Sequence, residues 1–376
     1  MHFLRTHSPK AGRSFGRAAM GTAAAAALAL TLTACGGGDD DADGGGDGDT
    51  PFIGVILPDS ASSDRWETAD RKYLEAAFEA AGVDYDIQNA QGSREDFQTI
   101  ADQMLTKGVN VLVTVNLDSG TGATVIEKAR SQGVATIDYD RLTEGGGADY
   151  YVSFDNEQVG VLQGQGLVDC LEGVENPLIA ELNGSPTDNN ATLFKNGYDS
   201  VLDPLYEDGT FTKGPDEWVP DWDNAQGGTL FEQMLTDTGT EIDGVLAAND
   251  GLAHAVITVL ERNSLNGTVP VTGQDATVQG LQNILLGDQC MTVYKAVEKE
   301  ANAAAELAVA LANGEKPETD ASVVDPVSGD EVASVLLDPV AVTAHNIQAV
   351  VDDGYVDAAE LCADDFAALC DEHGIG

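Results

Sequence analysis

Apolar and polar positions alternate along the chain in two different periods from residue 51 onward. Short runs rich in β-branched residues predict strands, and the stretches between them repeat apolar residues every three or four positions, which predicts helices. In the first part of the chain the predicted strands are 52–57, 85–89, 109–115 and 134–139, and the predicted helices are 65–81, 95–107 and 122–132. Strands that alternate with helices in this way indicate a parallel sheet covered on both faces.

A second series of the same kind follows. Its predicted strands are 178–182, 244–247 and 269–272, and its predicted helices are 156–170, 189–202, 224–235 and 251–263. The predicted fold class is therefore α/β, with two doubly wound parallel-sheet lobes.

Three extended segments, 150–154, 291–295 and 332–342, interrupt the alternation, and we interpret them as three crossings that form a hinge between the lobes. The first lobe is then 51–152 plus 296–331, and it contains a helix at 298–313. The second lobe is 153–295 plus 332–376, and it contains a helix at 345–353.

The residues before the first strand have another pattern. Four basic residues precede an apolar run at 18–34, which ends in Leu-Thr-Ala before Cys35. This pattern predicts a lipoprotein signal peptide at 1–35, with Cys35 as the lipidated residue that attaches the chain to the outer face of the cell membrane. A transmembrane anchor is the alternative, but the run is a little short for it. The linker 36–50 is rich in Gly and Asp, and since it has almost no apolar side chain, we expect a flexible tether.

The charge excludes some partners. The chain has 64 acidic and 18 basic residues and a formal net charge of −46, which disfavours nucleic acid and anionic membrane surfaces. This acidity fits either saline surroundings or plain solubility. Beyond Cys35 there are four cysteines, at 170, 290, 362 and 370, which allow two disulfides in three connectivities. We expect a monomer without cofactor or metal.

Polar and aromatic residues cluster where predicted strands end, which is where open parallel sheets bind ligands. Carboxylates, guanidinium groups and indole rings together suit a sugar, since its hydroxyls hydrogen-bond and its C–H face packs on aromatic planes. The candidates are Arg65, Trp66, Asp140, Arg141, Trp222, Asn249, Asp275 and Lys295. Taken singly, each also fits a helix cap, a core aromatic or a strand-end ion pair. Their joint placement favours a polar cleft between the lobes.

Seven motifs carry a family resemblance: DRW at 64–66, YDR at 139–141, SFDNEQVG at 153–160, GSPTDNNA at 184–191, NDG at 249–251, GQDA at 273–276 and TVYK at 292–295. The chain resembles the type I periplasmic sugar-binding proteins of ABC transporters, nearest to D-xylose-binding and multiple-monosaccharide-binding proteins. The resemblance covers residues 53–360. It implies that the sugar is hydrogen-bonded by Arg65, Asp140, Arg141, Asn190, Asn249, Asp275 and Lys295, and stacked by Trp222, with Trp66 as a second stacking candidate.

The resemblance implies a binding protein that passes a monosaccharide, with D-xylose favoured, to the permease subunits of an ABC importer and catalyses no reaction. Loop 218–222 is similar to the xylose binders, whereas Ser62-Ser63 and segment 336–342 are similar to the multiple-sugar binders. A glycoside hydrolase using Asp140 and Asp275 is disfavoured, because the nearby arginines keep both carboxylates ionised. A sensor that presents the sugar to a chemoreceptor or kinase remains an alternative.

Overall fold

The computed structural model describes residues 50–376, so the predicted signal peptide 1–35, Cys35 and the linker up to residue 49 lie outside the described residues. The strands of this part, in chain order, are β1 (Phe52–Leu57), β2 (Asp84–Asn89), β3 (Val111–Thr114), β4 (Ala135–Tyr139), β5 (Tyr150–Phe154), β6 (Leu178–Asn183), β7 (Thr212–Trp218), β8 (Gly244–Ala247), β9 (Thr292–Tyr294), β10 (Ala321–Val324), β11 (Glu331–Leu337) and β12 (Val340–Val342).

The helices lie between these strands and after them. They are α1 (Arg71–Ala81), α2 (Arg94–Lys107), α3 (Ser119–Ser131), α4 (Asn156–Cys170), α5 (Asn189–Glu207), α6 (Asn224–Asp237), α7 (Asp250–Arg262), α8 (Val278–Leu286), α9 (Val297–Ala312), α10 (Gln348–Asp352), α11 (Ala358–Leu361) and α12 (Ala367–His373). A π-helical turn, Trp66–Asp70, leads into α1, and a 3-10 turn, Pro220–Trp222, precedes α6.

The first lobe is built on a sheet with the strand order β10-β11-β5-β4-β3-β1-β2. Its strands are parallel except β10, which pairs antiparallel with β11. Both faces are buried: Ile53 and Val55 of β1 belong to one apolar cluster with α1 and α9, while Ile56 belongs to another with α2 and α3. Helices on both faces are what a parallel sheet requires.

The second lobe contains the parallel strands β7-β6-β8 and the antiparallel pair β12-β9. Helices α4 to α7 pack around β6 and β8 in one large apolar cluster. The predicted strand 269–272 is reduced to a single bridge between Val245 and Val271. The two lobe series expected from the periodicity are thus present.

The chain passes between the two sheets after β5, between β9 and α9, and between β11 and β12. The assignment of individual residues differs from the sequence-based boundaries at two places. Residues 153–154 and 332–337, which we assign to the second lobe from sequence, lie in β5 and β11 of the first sheet, where Ala333 pairs with Tyr150. A strand's apolar pattern is the same in either sheet, so the pattern alone does not reveal which sheet it joins.

Two disulfides connect the four described cysteines. Cys170 at the end of α4 pairs with Cys290, a sequence separation of 120, and we call this bond the long-loop disulfide. Cys362 pairs with Cys370, a separation of 8, and we call this bond the tail disulfide. The tail 362–376, for which the sequence suggests no role, packs against α8 through Cys370 and Ile375. Within residues 50–376 no helix is both long and apolar enough to cross a bilayer.

Candidate ligand-binding site

A small cavity lies where the two lobes face each other. All nine residues predicted as sugar contacts line it and are buried: Arg65, Trp66, Asp140, Arg141, Asn190, Trp222, Asn249, Asp275 and Lys295. Five further residues complete the lining: Ser62, Ser63, Asp188, Phe194 and Gln274. The structure therefore brings together residues that lie between positions 62 and 295 of the sequence.

Local structure explains why these side chains meet. Asp140 and Arg141 follow β4 directly, and Lys295 follows β9, so these three lie at strand ends. Asn190 is the second residue of α5, and Asn249 caps α7 by accepting a hydrogen bond from the Leu252 backbone N–H at 2.9 Å. The Nδ2 of the same Asn249 donates to the Ser62 carbonyl of the other lobe at 3.2 Å. One asparagine thus both caps a helix and lines the cavity.

Asp140 lies at the electrostatic centre of the cavity. Its carboxylate accepts hydrogen bonds from the Arg65 Nη1 at 3.0 Å, the Lys295 Nζ at 3.4 Å and the Asn190 Nδ2 at 3.1 Å. Burial raises the pKa of Asp140, but Lys295, Arg65 and Arg141 lower it more, and the pKa falls to about 2. This carboxylate is therefore ionised at neutral pH and acts as a hydrogen-bond acceptor.

Asp188 joins the two lobes on another side of the cavity. Its Oδ2 forms an ion pair with the Arg141 Nε at 3.0 Å and accepts a hydrogen bond from the Trp222 indole N–H at 3.0 Å. The Trp222 ring also meets Phe194 edge-on, with 6.4 Å between ring centroids. Because its indole N–H is hydrogen-bonded and its ring packs against Phe194, Trp222 presents a fixed aromatic surface to the cavity.

Trp66 has a different environment. The guanidinium carbons of Arg65 and Arg141 lie 4.5 Å and 5.4 Å from its ring centroid, in cation–π contact. Its indole N–H reaches the Ser62 hydroxyl at 3.3 Å. Trp66 thus also positions the two arginines, a role that the sequence prediction of a stacking residue does not include.

Three of the lining residues have left-handed backbone conformations, with φ of 61° at Asp140, 55° at Trp222 and 103° at Asp275. Residues other than glycine rarely adopt positive φ, and such conformations cluster at functional sites where the surroundings impose them. Asp275 is held from both lobes, by the Ser63 hydroxyl at 2.9 Å and by Lys295 at 3.4 Å.

Sequence reasoning missed two lining residues with clear chemistry. Asp188 lies next to Asn189-Asn190 in the motif GSPTDNNA, and Gln274 precedes Asp275 in GQDA, so both motifs contain the signal. The Gln274 Oε1 is buried without a hydrogen-bond partner among the described residues, and the side chain lines the cavity. A buried acceptor of this kind is available to a ligand hydroxyl.

The lining charges balance. Three cations, Arg65, Arg141 and Lys295, face three carboxylates, Asp140, Asp188 and Asp275, and each cation has a carboxylate within 3.4 Å. An ionised ligand would leave a buried charge unpaired, which is costly. The site therefore suits a small, uncharged ligand with many hydroxyl groups.

Two α/β lobes with three connections and a polar cavity between them define a binding protein that encloses a small ligand between its domains. Residues 53–316 match the family described as periplasmic binding protein domain, and the chain belongs to this family. Its fold is that of the type I periplasmic binding proteins, as predicted from the sequence.

Comparison with known proteins gives relatives of the same kind. The chain is 36% identical to the D-xylose-binding periplasmic protein of Escherichia coli (strain K12), covering 81% of this chain and 90% of that one. It is 35% identical to a multiple sugar-binding periplasmic protein of Azospirillum brasilense, covering 83% and 92%. A carbohydrate transporter solute-binding protein from Chloroflexus aurantiacus, in complex with D-glucose, is 32% identical with a TM-score of 0.75 and covers 83% and 98%.

These matches confirm the predicted family and the predicted class of function, a sugar-binding protein of carbohydrate transport. They also confirm the prediction of a binding protein rather than an enzyme, since the family and these relatives bind solutes. Proteins of this family act outside the cytoplasm, in agreement with the predicted extracytoplasmic location.

Proposed function

We propose that this chain binds one neutral monosaccharide, D-xylose in preference, in the cavity between its lobes and delivers it to the permease of an ABC importer. The observation that carries the proposal is the composition of the cavity: paired cations and carboxylates from both lobes, with Trp222 as an aromatic wall. Hydrogen bonds to charged groups contribute about 1.5 to 3 kcal/mol each, so a few of them suffice for tight binding of a polyol.

The nine predicted residues are proposed as the sugar contacts. Arg65, Asp140 and Arg141 belong to the first lobe, Asn190, Trp222, Asn249 and Asp275 belong to the second, and Lys295 lies at a crossing. A ligand that touches both lobes binds the closed arrangement more tightly than the open one, which is the requirement for closure on binding. Trp66 is proposed to contact the sugar edge while it holds the arginines.

The preference for D-xylose is supported by the D-xylose-binding relative and by Trp222, whose loop is similar to that of the xylose binders. A calorimetric titration of the purified protein against xylose, glucose, galactose, arabinose and ribose tests it, and xylose should give the lowest Kd. D-Glucuronate, which keeps the ring of glucose but has a carboxylate in place of its CH2OH group, is the charged control for glucose and should bind much more weakly than glucose. Tighter binding of glucuronate than of glucose would contradict the neutral-ligand proposal.

We further propose that the mature chain is held at the membrane by lipid on Cys35 and acts as a monomer. Labelling cells with radioactive palmitate should label the wild-type chain and leave Cys35→Ala unlabelled, with the variant recovered in the soluble fraction. Equal labelling of both chains would contradict the anchor. Loss of xylose uptake on deletion of the gene tests delivery to the importer, whereas normal uptake with lost signalling would indicate a sensor.

A further inference from the structure

The guanidinium of Arg65 is almost fully used by the protein itself. Its Nε and Nη2 donate to the two carboxylate oxygens of Asp70 at 2.8 and 2.7 Å, Nη2 also donates to Glu300 at 3.0 Å, and Nη1 donates to Asp140 at 3.0 Å. A guanidinium has five N–H donors. Among the described residues, four of them are taken, and the fifth belongs to Nη1, the nitrogen that also contacts the cavity-lining Asp140.

Asp70 and Glu300 lie behind Arg65, outside the set of side chains that line the cavity, and both are fully buried. They come from distant parts of the first lobe: Asp70 ends the π-helical turn before α1, and Glu300 lies in the first turn of α9. We propose that Asp70 and Glu300 are positioning residues for ligand binding, which hold Arg65 so that its remaining Nη1–H faces the ligand. This inference rests on the proposed function.

The π-helical turn explains how Asp70 reaches Arg65. In an α-helix, with 3.6 residues per turn, side chains five positions apart lie on different faces. In the turn Trp66–Asp70 the hydrogen bond runs over five residues, from the Arg71 backbone N–H to the Trp66 carbonyl. This wider turn brings Asp70 around to Arg65, and π-helical turns are frequent at functional sites.

A third contact fixes Asp70 in turn. The Tyr139 hydroxyl donates to the Asp70 Oδ1 at 2.8 Å. Tyr139 is the last residue of β4 and directly precedes Asp140. We call Asp70, Glu300 and Tyr139 together the Arg65 clamp. It links the turn before α1, the end of β4 and the start of α9. An arginine side chain has many rotamers, and fixing it before binding reduces the entropy that the ligand must offset.

Glu300 is the second acceptor behind Arg65. Burial raises its pKa well above the usual range, and the negative charge of Asp140 adds to this rise, while Arg65 opposes it. Its Oε2 accepts the hydrogen bond from the Arg65 Nη2 at 3.0 Å. Its Oε1 is buried without a partner in residues 50–376. A glutamine in its place accepts the same hydrogen bond, whereas an alanine leaves one Nη2–H unpaired.

Calorimetric titration with xylose tests the clamp. The variant Asp70→Asn cannot accept from both Nε and Nη2, and we expect its Kd to rise about ten- to a hundredfold, the loss that follows when the outer partner of a metal-ligating side chain is removed. The variant Glu67→Gln is the matched control, since Glu67 lies in the same turn but binds Arg71 at 2.7 Å, and it should bind xylose like the wild type.

A double-mutant cycle separates positioning from general loss of structure. If Asp70 acts through Arg65, Asp70→Asn has little further effect on Kd in an Arg65→Met background. Equal loss of affinity in both backgrounds, or an unchanged Kd in the single variant, would overturn the inference. If Asp70→Asn has no cooperative melting transition, the Glu300 pair decides: Glu300→Ala should bind more weakly while Glu300→Gln keeps the affinity, and wild-type binding by Glu300→Ala overturns the proposal. Absence of monosaccharide binding by the wild type contradicts the proposed function instead.

Discussion

Replacing Asp140 by Asn removes one negative charge from the centre of the cavity without changing its shape. The remaining contacts keep the neighbouring cations paired, since Arg65 retains Asp70 and Lys295 retains Asp275. We therefore expect the variant to fold and its defect to appear in ligand binding. A sugar hydroxyl that donates to this carboxylate loses a charge-assisted bond of about 1.5 to 3 kcal/mol, so the Kd for xylose should rise about 10- to 150-fold.

The same substitution should also change how the free energy of unfolding of the ligand-free protein depends on pH. The pKa of Asp140 falls from 3.8 to about 2 in the folded protein, which corresponds to about 2 kcal/mol in favour of the charged form. This stabilisation is fully present above pH 3.8 and is lost as the pH falls through about 2. Wild type should thus exceed Asp140→Asn in free energy of unfolding by about 2 kcal/mol at neutral pH, and the difference should vanish near pH 2.

Calorimetry measures the affinity, and urea denaturation at a series of pH values measures the stability. Asp102→Asn is a suitable control, because Asp102 pairs with Lys128 on the exposed surface of the same lobe. Wild-type affinity for xylose in Asp140→Asn at neutral pH would refute the central role of this carboxylate. A stability difference that stays constant down to pH 2 would refute the electrostatic account.

Three further changes test other parts of the molecule. Gln274→Leu removes the unpartnered acceptor in the cavity and should raise the Kd for sugar about fivefold, whereas an unchanged Kd in calorimetry would exclude this contact. Gly184→Ala adds a methyl group against the Trp222 ring and should displace the ring. We expect a shifted maximum of tryptophan fluorescence and a higher Kd for sugar, and wild-type values of both would contradict this packing. Replacing the cysteines of the long-loop disulfide by serine should cost about 5 kcal/mol of stability, against about 2.5 kcal/mol for the tail disulfide. The difference arises because a disulfide that closes a longer loop removes more conformational entropy from the unfolded chain. Chemical denaturation measures both, and a larger cost for the tail disulfide would contradict this account.

Elements with a continuous apolar run or a clear capping residue are predictable from this sequence. Strand β1 has the predicted limits 52–57 because it is a continuous apolar run, and helix α4 has the predicted limits 156–170 because it begins directly after the capping residue Asp155. Strand β7, Thr212–Trp218, is missed, since it is a polar edge strand with a glycine and a proline. Edge strands bury little, so their sequence contains little apolar pattern.

The candidate site divides in the same manner. Motifs identify the residues that face the cavity, such as Asp140 and Asp275, because each lies beside a recognisable strand end or turn. Nothing local identifies Glu300, which contacts Arg65 across 235 positions of sequence from within an ordinary amphipathic helix. A glutamate in the first turn of a helix is typical of helices in general, where it favours the N-terminal dipole. Only the packing of α9 against the turn before α1 gives it a further role.

The residues proposed to contact the sugar also hold the lobes together, and this has a consequence for affinity. Ser63 donates to Asp275 at 2.9 Å, Asn249 donates to the Ser62 carbonyl at 3.2 Å, and Asn190 donates to Asp140 at 3.1 Å, in each case across the cleft. These bonds favour the closed arrangement before a ligand enters. The apparent Kd equals the intrinsic Kd divided by the fraction of molecules that is competent to bind. A substitution at one of these positions therefore acts twice, through the lost sugar contact and through the smaller closed population, and only the first effect varies from one sugar to another.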